Sequence, residues 1–238
     1  MKLFTNRRLI LVCLTASTFL LSFMQPAIAV ESFANKYDLV KPPQSTTTPE
    51  KVEVVELFWY NCPHCKSIEV YLKPWLKTKP NYVEFKYMPA VFKQRGNSEQ
   101  AIAYYQRQVL FAKAYYTAEV LDIVEKIHPL IFDAVQGGKP PMNTEKAFQQ
   151  LFAKHGVSEK EFTEKFNKDF NVDRGVRTSE TMTANYGITG VPVIIVNGKF
   201  RLTAAKANGY ENMVEIINYL VEEERKLMKL PKELPVVQ

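Results

Sequence analysis

The pattern of apolar residues predicts a strand, a helix and a second strand after the N-terminal segment. Residues 52–60 are apolar apart from two glutamates and are rich in β-branched and aromatic side chains, which is typical of a buried strand. Residues 82–88 alternate and stop before Pro89, which predicts a second core strand. Between them, apolar side chains recur at helical spacing at Ile68, Tyr71, Leu72, Trp75 and Leu76. We expect this helix to pack on the sheet, with a kink at Pro74.

The periodicity of residues 98–186 is almost wholly helical, so we predict an inserted helical domain there. The candidate helices span residues 98–115, 117–135, 143–155, 158–168 and 172–186. An aromatic stripe crosses this region at Tyr104, Tyr105, Phe111, Tyr115 and Tyr116. We interpret the stripe as core and interface packing. A cofactor-stacking role is the alternative, although no phosphate-binding glycine loop accompanies the stripe.

Two short strands and a final helix follow the insertion. Residues 190–202 are apolar on both sides of Asn197-Gly198, a strong signal for a tight hairpin. A last amphipathic helix is predicted over residues 210–228. The chain therefore predicts an α/β protein with a discontinuous sheet domain. Its segments are a mobile, proline-bearing leader at 30–50, the sheet domain at 51–97 and 187–230, and a tail at 231–238.

Residues 1–29 have the pattern of a cleavable export signal. Basic residues lie near the start, residues 9–23 are uncharged and mostly apolar, and Ala27-Ile28-Ala29 fits the small-residue pattern for cleavage after Ala29. The apolar stretch is shorter than a usual membrane span. An uncleaved anchor is the alternative.

Composition and charge narrow the function classes. With 238 residues, of which 46% are hydrophobic, the chain can bury a core, which excludes disorder as its main state. The net charge is +6, and loss of residues 1–29, which hold three basic and no acidic residues, lowers it to +3. Because basic and acidic residues mix along predicted helices such as residues 159–168, the charge pattern does not favour nucleic-acid binding.

The sequence Cys62-Pro63-His64-Cys65 is the strongest candidate for chemistry. It follows the first strand and begins a helix, so Cys62 is expected beside the free N–H groups of the first turn, where the helix dipole favours a thiolate. Pro63 suits the first helical position, and His64 places an ionisable ring near the sulfurs. We therefore predict a two-thiol switch with an exposed, low-pKa Cys62 and a protected, resolving Cys65.

A structural zinc site is the alternative interpretation, because Cys-x-x-Cys is also half of many zinc sites. Cys13 is the one other cysteine and is removed with the export signal, while His128 and His155 lack ligand spacing. Structural zinc is normally four-coordinate, so the sequence favours redox chemistry with no metal and no cofactor.

Three motifs together resemble the DsbA family of periplasmic disulfide oxidoreductases, over nearly the whole mature chain. They are Cys62-Pro63-His64-Cys65 after an aromatic strand, Gly190-Val191-Pro192 before a strand, and the hairpin Val196-Asn197-Gly198-Lys199-Phe200. The resemblance implies a thioredoxin fold with an inserted α-helical domain, and a periplasmic enzyme that donates a Cys62–Cys65 disulfide to exported, folding proteins. It also implies that the Pro63-His64 pair marks an oxidase, and that Val191–Pro192 is a cis peptide bond facing the disulfide, where substrate docks.

The resemblance also points to two acidic residues. Glu56, six residues before Cys62, matches the buried acid under the active site of the family and is expected to transfer a proton. The alternative is an ordinary strand carboxylate that points to solvent. Glu69 falls where relatives carry an acid near the helix, and we expect a surface charge with a modest tuning effect.

By the same resemblance, a quinone-linked membrane oxidase of the DsbB type reoxidises the thiols, and the substrates are unfolded exported proteins. We expect a monomer that binds no nucleic acid. No dimerisation domain precedes the thioredoxin fold, which argues against an isomerase of the DsbC type. Two other functions stay open: a thioredoxin-like periplasmic reductant or isomerase, and a non-catalytic, chaperone-like peptide-binding module.

Overall fold

The computed structural model describes residues 33–139 and 141–233. A mixed five-stranded sheet lies at the centre of the fold. The strands are β1 (Asp38–Leu39), β2 (Val52–Phe58), β3 (Val83–Pro89), β4 (Val193–Val196) and β5 (Phe200–Leu202). The helices are α1 (Pro63–Thr78), α2 (Glu99–Val120), α3 (Val124–Gly137), α4 (Glu145–Ala153), α5 (Glu159–Lys168), α6 (Phe170–Asn185), α7 (Ala204–Ala207) and α8 (Tyr210–Leu227). The predicted export signal and its cleavage site lie outside the described residues.

Strand β2 occupies an inner position in the sheet. The strand order is β1-β5-β4-β2-β3, in which β2 runs parallel to β3 and antiparallel to β4. All seven residues of β2 are buried because packed side chains cover both faces of the sheet. The register sets Glu56 between Tyr87 of β3 and Ile194 of β4. The side chain of Glu56 therefore lies in the core.

One face of the sheet packs against α1 and α8. The buried side chains of this layer include Val54, Ile194 and Val196 from the sheet, Ile68, Leu72 and Trp75 from α1, and Met213, Ile216 and Leu220 from α8. Trp75 Nε1 also donates a hydrogen bond to Asn218 Oδ1 at 2.7 Å. This packing fixes the axis of α1 and with it the position of its first turn.

The helices α2 to α6 lie between β3 and β4 in the chain and form a second, aromatic core. Phe58 at the end of β2 joins this core to the sheet, with its ring centroid 5.6 Å from that of Tyr115 and 5.8 Å from that of Phe132. The stripe residues Phe111, Tyr115 and Tyr116 are buried, and Tyr104 packs its exposed ring edge-on against Trp59. These contacts agree with packing as the role of the stripe.

Several element boundaries differ from the prediction. β2 ends at Phe58 because residues 59–62 form the turn into α1. α2 continues to Val120 and α3 begins at Val124, since a turn with a positive φ of 55° at Asp122 separates them. α1 continues through Pro74. Within the described ranges, no helix has the length and apolarity that crossing a membrane requires.

Residues 33–50 are attached to the sheet and differ from the mobile leader that the sequence predicts. Asp38 and Leu39 form β1 against β5, and the Gln44 N–H donates to the carbonyl of Gly198 at 2.9 Å. A Cβ at Gly198 would clash with the carbonyl of Gln44, so the hairpin needs glycine at this position. The breaker-rich composition prevents a long element but leaves the backbone free to pair at the sheet edge.

Candidate active site

The turn between β2 and α1 places Cys62 at the N-cap of α1. Its backbone is extended, with φ −97° and ψ 112°, and Pro63 takes the first helical position, as predicted. The N–H of Cys65 donates to the carbonyl of Cys62 at 3.1 Å and closes the first turn. Both cysteines are free thiols, and Cys62 is half-buried while Cys65 is buried.

The Cys62 thiol ionises easily. A hydrogen bond with the Cys65 thiol lowers the pKa of Cys62 to about 6, while partial burial acts in the opposite direction. The backbone N–H groups of Cys65 and His64 and the charge of the His64 ring add smaller decreases. These N–H groups are the free donors of a helix N-terminus. At neutral pH the Cys62 sulfur is therefore mainly the nucleophilic thiolate.

The Cys65 thiol, one helical turn away, behaves in the opposite way. Its side chain is fully buried, and burial raises its pKa far above that of an ordinary thiol. The hydrogen bond with Cys62 and the negative charges of Glu56 and Cys62 raise it further. Cys65 therefore stays protonated at neutral pH, and the two thiols of the motif are chemically unequal.

The Val191–Pro192 peptide bond borders Cys62 and is cis, as predicted. In its protonated form the Cys62 thiol donates to the carbonyl of Val191, at a sulfur–oxygen distance of 3.4 Å. Beside this contact lies an open groove of about 870 Å³. Its lining includes His64, Val191, Pro192, Arg201, Thr203 and Tyr210. Val191 both lines the groove and contacts the Cys62 sulfur, so the groove adjoins the reactive atom.

Glu56 is fully buried, so the alternative of a solvent-pointing strand carboxylate is wrong. Among the described residues, neither of its carboxyl oxygens has a hydrogen-bond partner. Burial raises the pKa of Glu56 well above its ordinary value, and the charges of Glu69 and Cys62 add to the increase. Glu56 thus favours the protonated form close to the dithiol.

Glu69 is only 5% exposed, so the expectation of a surface charge is wrong. The inserted helices cover this side of α1, and the hydroxyl of Tyr87 donates to Glu69 Oε2 at 3.3 Å. Burial raises the pKa of Glu69, while Lys73 and Tyr87 reduce the increase. Glu69 therefore forms a buried acidic pair with Glu56, and Glu56 lies within electrostatic range of both thiols.

Two polar residues at the site were not assigned a role from the sequence. Gln136 on α3 donates through Nε2 to the carbonyls of Tyr60 and Cys62, at 2.9 and 3.0 Å, and so holds the active-site turn. His128, also on α3, pairs its Nδ1 with the hydroxyl of Tyr60 at 2.9 Å. Their partners are more than sixty residues away in the chain. No local motif marks such contacts.

Disulfide exchange needs one sulfur that is open to attack and a second that can leave and be protected. Cys62 and Cys65 meet this need at the start of a helix that packs on a central mixed sheet. In the described part of the chain, no three His, Cys, Asp or Glu side chains are grouped so that they could hold a metal ion. The fold and the site together define a thiol–disulfide oxidoreductase.

Comparison with known proteins gives the family. Residues 53–218 match the model of the DSBA-like thioredoxin domain. The chain therefore belongs to this family and is a protein disulfide oxidoreductase. The predicted family and the predicted thioredoxin fold with its helical insertion are confirmed.

Similar proteins match most of the chain. The thiol:disulfide interchange protein DsbA of Azotobacter vinelandii is 33% identical over 177 residues, which cover 74% of this chain and 77% of the relative. The protein of the same name from Burkholderia cepacia is 31% identical over 214 residues, covering 87% and 95%. The crystal structure of Pseudomonas aeruginosa DsbA is 28% identical, has a TM-score of 0.72 and covers 82% of this chain and 95% of that chain.

Proposed function

We propose that this protein is an exported thiol oxidase that donates the Cys62–Cys65 disulfide to folding proteins in the periplasm. The observation that carries the proposal is the inequality of the two thiols: Cys62 is half-buried with its pKa lowered to about 6, and Cys65 is buried with its pKa raised. Stabilising the Cys62 thiolate stabilises the reduced form. A stabilised reduced form makes the disulfide a stronger oxidant.

The reaction consists of two thiol–disulfide exchanges. A substrate thiolate attacks the accessible Cys62 sulfur, a substrate–Cys62 disulfide forms, and Cys65 leaves with the electron pair of the broken bond. A second substrate thiolate then attacks the substrate sulfur of this mixed disulfide. The substrate leaves with a new disulfide, Cys62 leaves as a thiolate, and two electrons have passed to the dithiol.

Glu56 supplies the proton that Cys65 takes up as it leaves. A Cys65 thiolate is unfavourable because the sulfur is fully buried and lies within range of the Glu56 charge. Transfer of the carboxyl proton of Glu56 to Cys65 Sγ gives a neutral thiol and a carboxylate. The carboxylate is protonated again from solvent before the next cycle. The buried, unpartnered carboxyl of Glu56 supports this role.

Substrate docks along the groove beside Val191 and Pro192. The carbonyl of Val191 lies 3.4 Å from the Cys62 sulfur, so a peptide that pairs with this backbone would carry its cysteine to the reactive atom. Backbone pairing gives affinity with little dependence on side chains. It suits an enzyme that accepts many unfolded exported proteins. His64 lines the groove and lies between the two cysteines in the chain.

The export pattern of residues 1–29 supports a periplasmic location, as does membership of a family whose named relatives are thiol:disulfide interchange proteins. After each cycle the dithiol must be oxidised again. A quinone-linked membrane oxidase of the DsbB type fits this requirement. We expect the enzyme to act as a monomer.

The redox potential of the Cys62/Cys65 pair tests the proposal. Equilibration with glutathione buffers, followed by acid trapping and alkylation of free thiols, should give a potential well above the thioredoxin value of about −270 mV. A potential near that value would favour the reductant alternative. A Cys62→Ser variant should lose all oxidation of a reduced, unfolded test protein, and full biological function of that variant would favour the chaperone-like alternative.

A further inference from the structure

A buried histidine on α3 is not used by the mechanism above. His128 is 3% exposed, and its ring lies among the rings of Phe58, Tyr60, Tyr87 and Phe132, with centroid distances of 4.4 to 5.3 Å. Its Nδ1 pairs with the Tyr60 hydroxyl at 2.9 Å. Its Nε2 lies 3.9 Å from Glu69 Oε1. Among the described residues, neither His128 Nε2 nor Glu69 Oε1 has a hydrogen-bond partner.

The surroundings hold the ring neutral. Burial lowers the pKa of His128 to about 3, and the charge of Lys73 acts in the same direction. The titratable side chains that face His128 or its partner Glu69 are Tyr60 from the turn after β2, Glu56 from β2, Glu69 and Lys73 from α1, Tyr87 from β3 and Tyr115 from α2. Among the described residues, Glu69 is the one acidic residue with a carboxyl oxygen within 4.0 Å of Nε2.

The contacts of the neutral ring select one tautomer. A neutral imidazole has one N–H and one acceptor nitrogen. The Tyr60 hydroxyl is buried and keeps its proton, because burial raises its pKa well above the ordinary value. Among the described residues, His128 Nδ1 is the hydrogen-bond partner of this hydroxyl, so its proton is satisfied if it donates to Nδ1. The ring proton is then on Nε2, which directs an N–H rather than a lone pair at the carboxyl of Glu69.

An N–H beside Glu69 decides where the acid pair holds its proton. Burial raises the pKa of both carboxyls. The interaction between them raises the pKa of Glu56 further and lowers that of Glu69, so the two pKa values move apart. Such a pair titrates as a unit, and a donor near one member favours the charge on that member. The Tyr87 hydroxyl already donates to Glu69 Oε2, and His128 Nε2 faces Oε1.

We propose that His128, as the Nε2–H tautomer, holds Glu69 as the carboxylate and so keeps the proton of the pair on Glu56, beside Cys65. His128 is thus a positioning residue that acts through Glu69. The inference rests on the proposed proton transfer by Glu56. It can be tested without measuring turnover, so the two proposals can fail separately.

The first test is the tautomer of His128 in the reduced, ¹⁵N-histidine-labelled protein. Long-range ¹H–¹⁵N spectra distinguish a protonated ring nitrogen from an unprotonated one, and His155→Gln and His128→Gln variants assign the signals. We expect Nε2 to carry the proton of His128 from pH 5 to pH 8, with no titration there. A proton on Nδ1, or a midpoint near the ordinary value of about 6.5, would overturn the proposal.

The second test follows the ¹³C signal of the Glu69 carboxyl against pH in two variants. His128→Phe keeps an aromatic ring and removes the N–H that lies 3.9 Å from Oε1, so the Glu69 midpoint should rise by about one pH unit, a usual size for a pKa shift in a folded protein. His128→Gln retains an N–H that can reach Glu69, so it should restore most of the wild-type midpoint. His155→Gln is the matched control and should change nothing.

An unchanged midpoint in His128→Phe, or equal midpoints in the Phe and Gln variants, would mean that His128 only fills space. If the midpoints move as expected while Glu56→Gln oxidises substrate at the wild-type rate, the position of the proton stands and the proposed role of Glu56 fails. Thermal melts of each variant confirm that the titrated protein is folded.

Discussion

The two ends of β2 each bury a glutamate, and their surroundings differ. Glu53 is 4% exposed, and its Oε2 accepts hydrogen bonds from the backbone N–H and hydroxyl of Thr47 and from Lys86 Nζ. Glu56, three residues on, is fully buried and faces the opposite side of the sheet. Within the described residues its oxygens have no hydrogen-bond partner.

Burial alone does not show whether a carboxyl group stabilises the fold, because that depends on the hydrogen-bond donors around it. A buried carboxylate with several donors stabilises the fold, because its charge is compensated where it lies. A buried carboxyl without donors costs stability, and groups of this kind cluster at functional sites. Glu53 therefore stabilises the scaffold, whereas the surroundings of Glu56 fit its proposed role as proton donor to the thiols.

The largest expected effect comes from Glu56→Gln. The amide has the shape of the protonated acid but no proton to give, so we expect oxidation of a reduced test protein to slow about a hundredfold at pH 7. The same variant should be more stable than the wild type at neutral pH. The folded-state pKa of Glu56 is raised, so its contribution to stability is full below its unfolded value and falls as pH rises.

Denaturant melts of Glu56→Gln and the wild type at pH 4 and pH 7 check the stability part of this prediction. The advantage of the variant should be present at pH 7 and shrink toward pH 4, where the wild-type residue is protonated in the folded chain and largely protonated in the unfolded chain. A less stable variant at pH 7 would mean that Glu56 is compensated like Glu53, and the contrast between the two ends would be lost.

Glu53→Gln should lower stability and leave the oxidation rate unchanged, the opposite of what we expect for Glu56→Gln. It removes the charge that Lys86 and Thr47 bind, and the free energy of unfolding should fall by about 2 kcal/mol, since Lys86 remains partly solvated. The pKa of Cys62 and the rate of substrate oxidation should stay at wild-type values. Urea melts and the thiolate absorbance near 240 nm measure these quantities. A changed thiol pKa would show that the two ends of β2 are coupled.

The sequence predicts the thiol end of the strand better than the acids beneath it. Cys62, Pro63 and Cys65 can be placed because an apolar strand, a turn and a helix start are local patterns. The burial of Glu56 depends on β2 lying between β3 and β4, and those strands are brought together by contacts across the whole chain. Local sequence patterns therefore do not determine the surroundings of Glu56.

Local patterns predict even less about the contacts of Glu69, His128 and Gln136. The periodicity of α1 marks one apolar face, but the inserted helices cover a second side, which contains Glu69. His128 and Gln136 reach the site because α3 packs against the active-site turn. Such contacts depend on how the two cores join at Phe58 and not on any spacing within α3.

At the thiol end, Pro192→Thr should separate turnover from stability. Pro192 precedes β4, and its neighbour Val193 pairs with Leu57 of β2. We expect little change in the pKa of Cys62 and about tenfold slower release of substrate, so that mixed disulfides through Cys62 accumulate. Non-reducing gels of periplasmic extract would display them, with Glu53→Gln as the matched control. Wild-type turnover without trapped complexes would place substrate docking elsewhere.

The smallest expected effect is a pH-dependent difference in stability between the reduced and oxidised proteins. The folded-state pKa of Cys62 is lowered to about 6, below the value of about 8.5 in an unfolded chain. Its contribution is therefore present above about pH 8.5 and is lost as pH falls toward 6. Because Cys62 is half-exposed, we expect the reduced form to gain only about 1 kcal/mol over this interval.

Because of Cys65, the stability of the reduced form should pass through a maximum as pH rises. Its folded-state pKa is raised, so the unfolded chain ionises at Cys65 above about pH 8.5 while the folded protein does not, and the reduced form loses stability there. The oxidised protein has neither thiol, so the difference between the two denaturation free energies isolates them. We expect this difference to rise from pH 6, peak at about pH 8.5 and then fall. Glu53→Gln should shift both forms equally and leave the curve unchanged, and a flat curve would mean that the fold does not distinguish the two thiols.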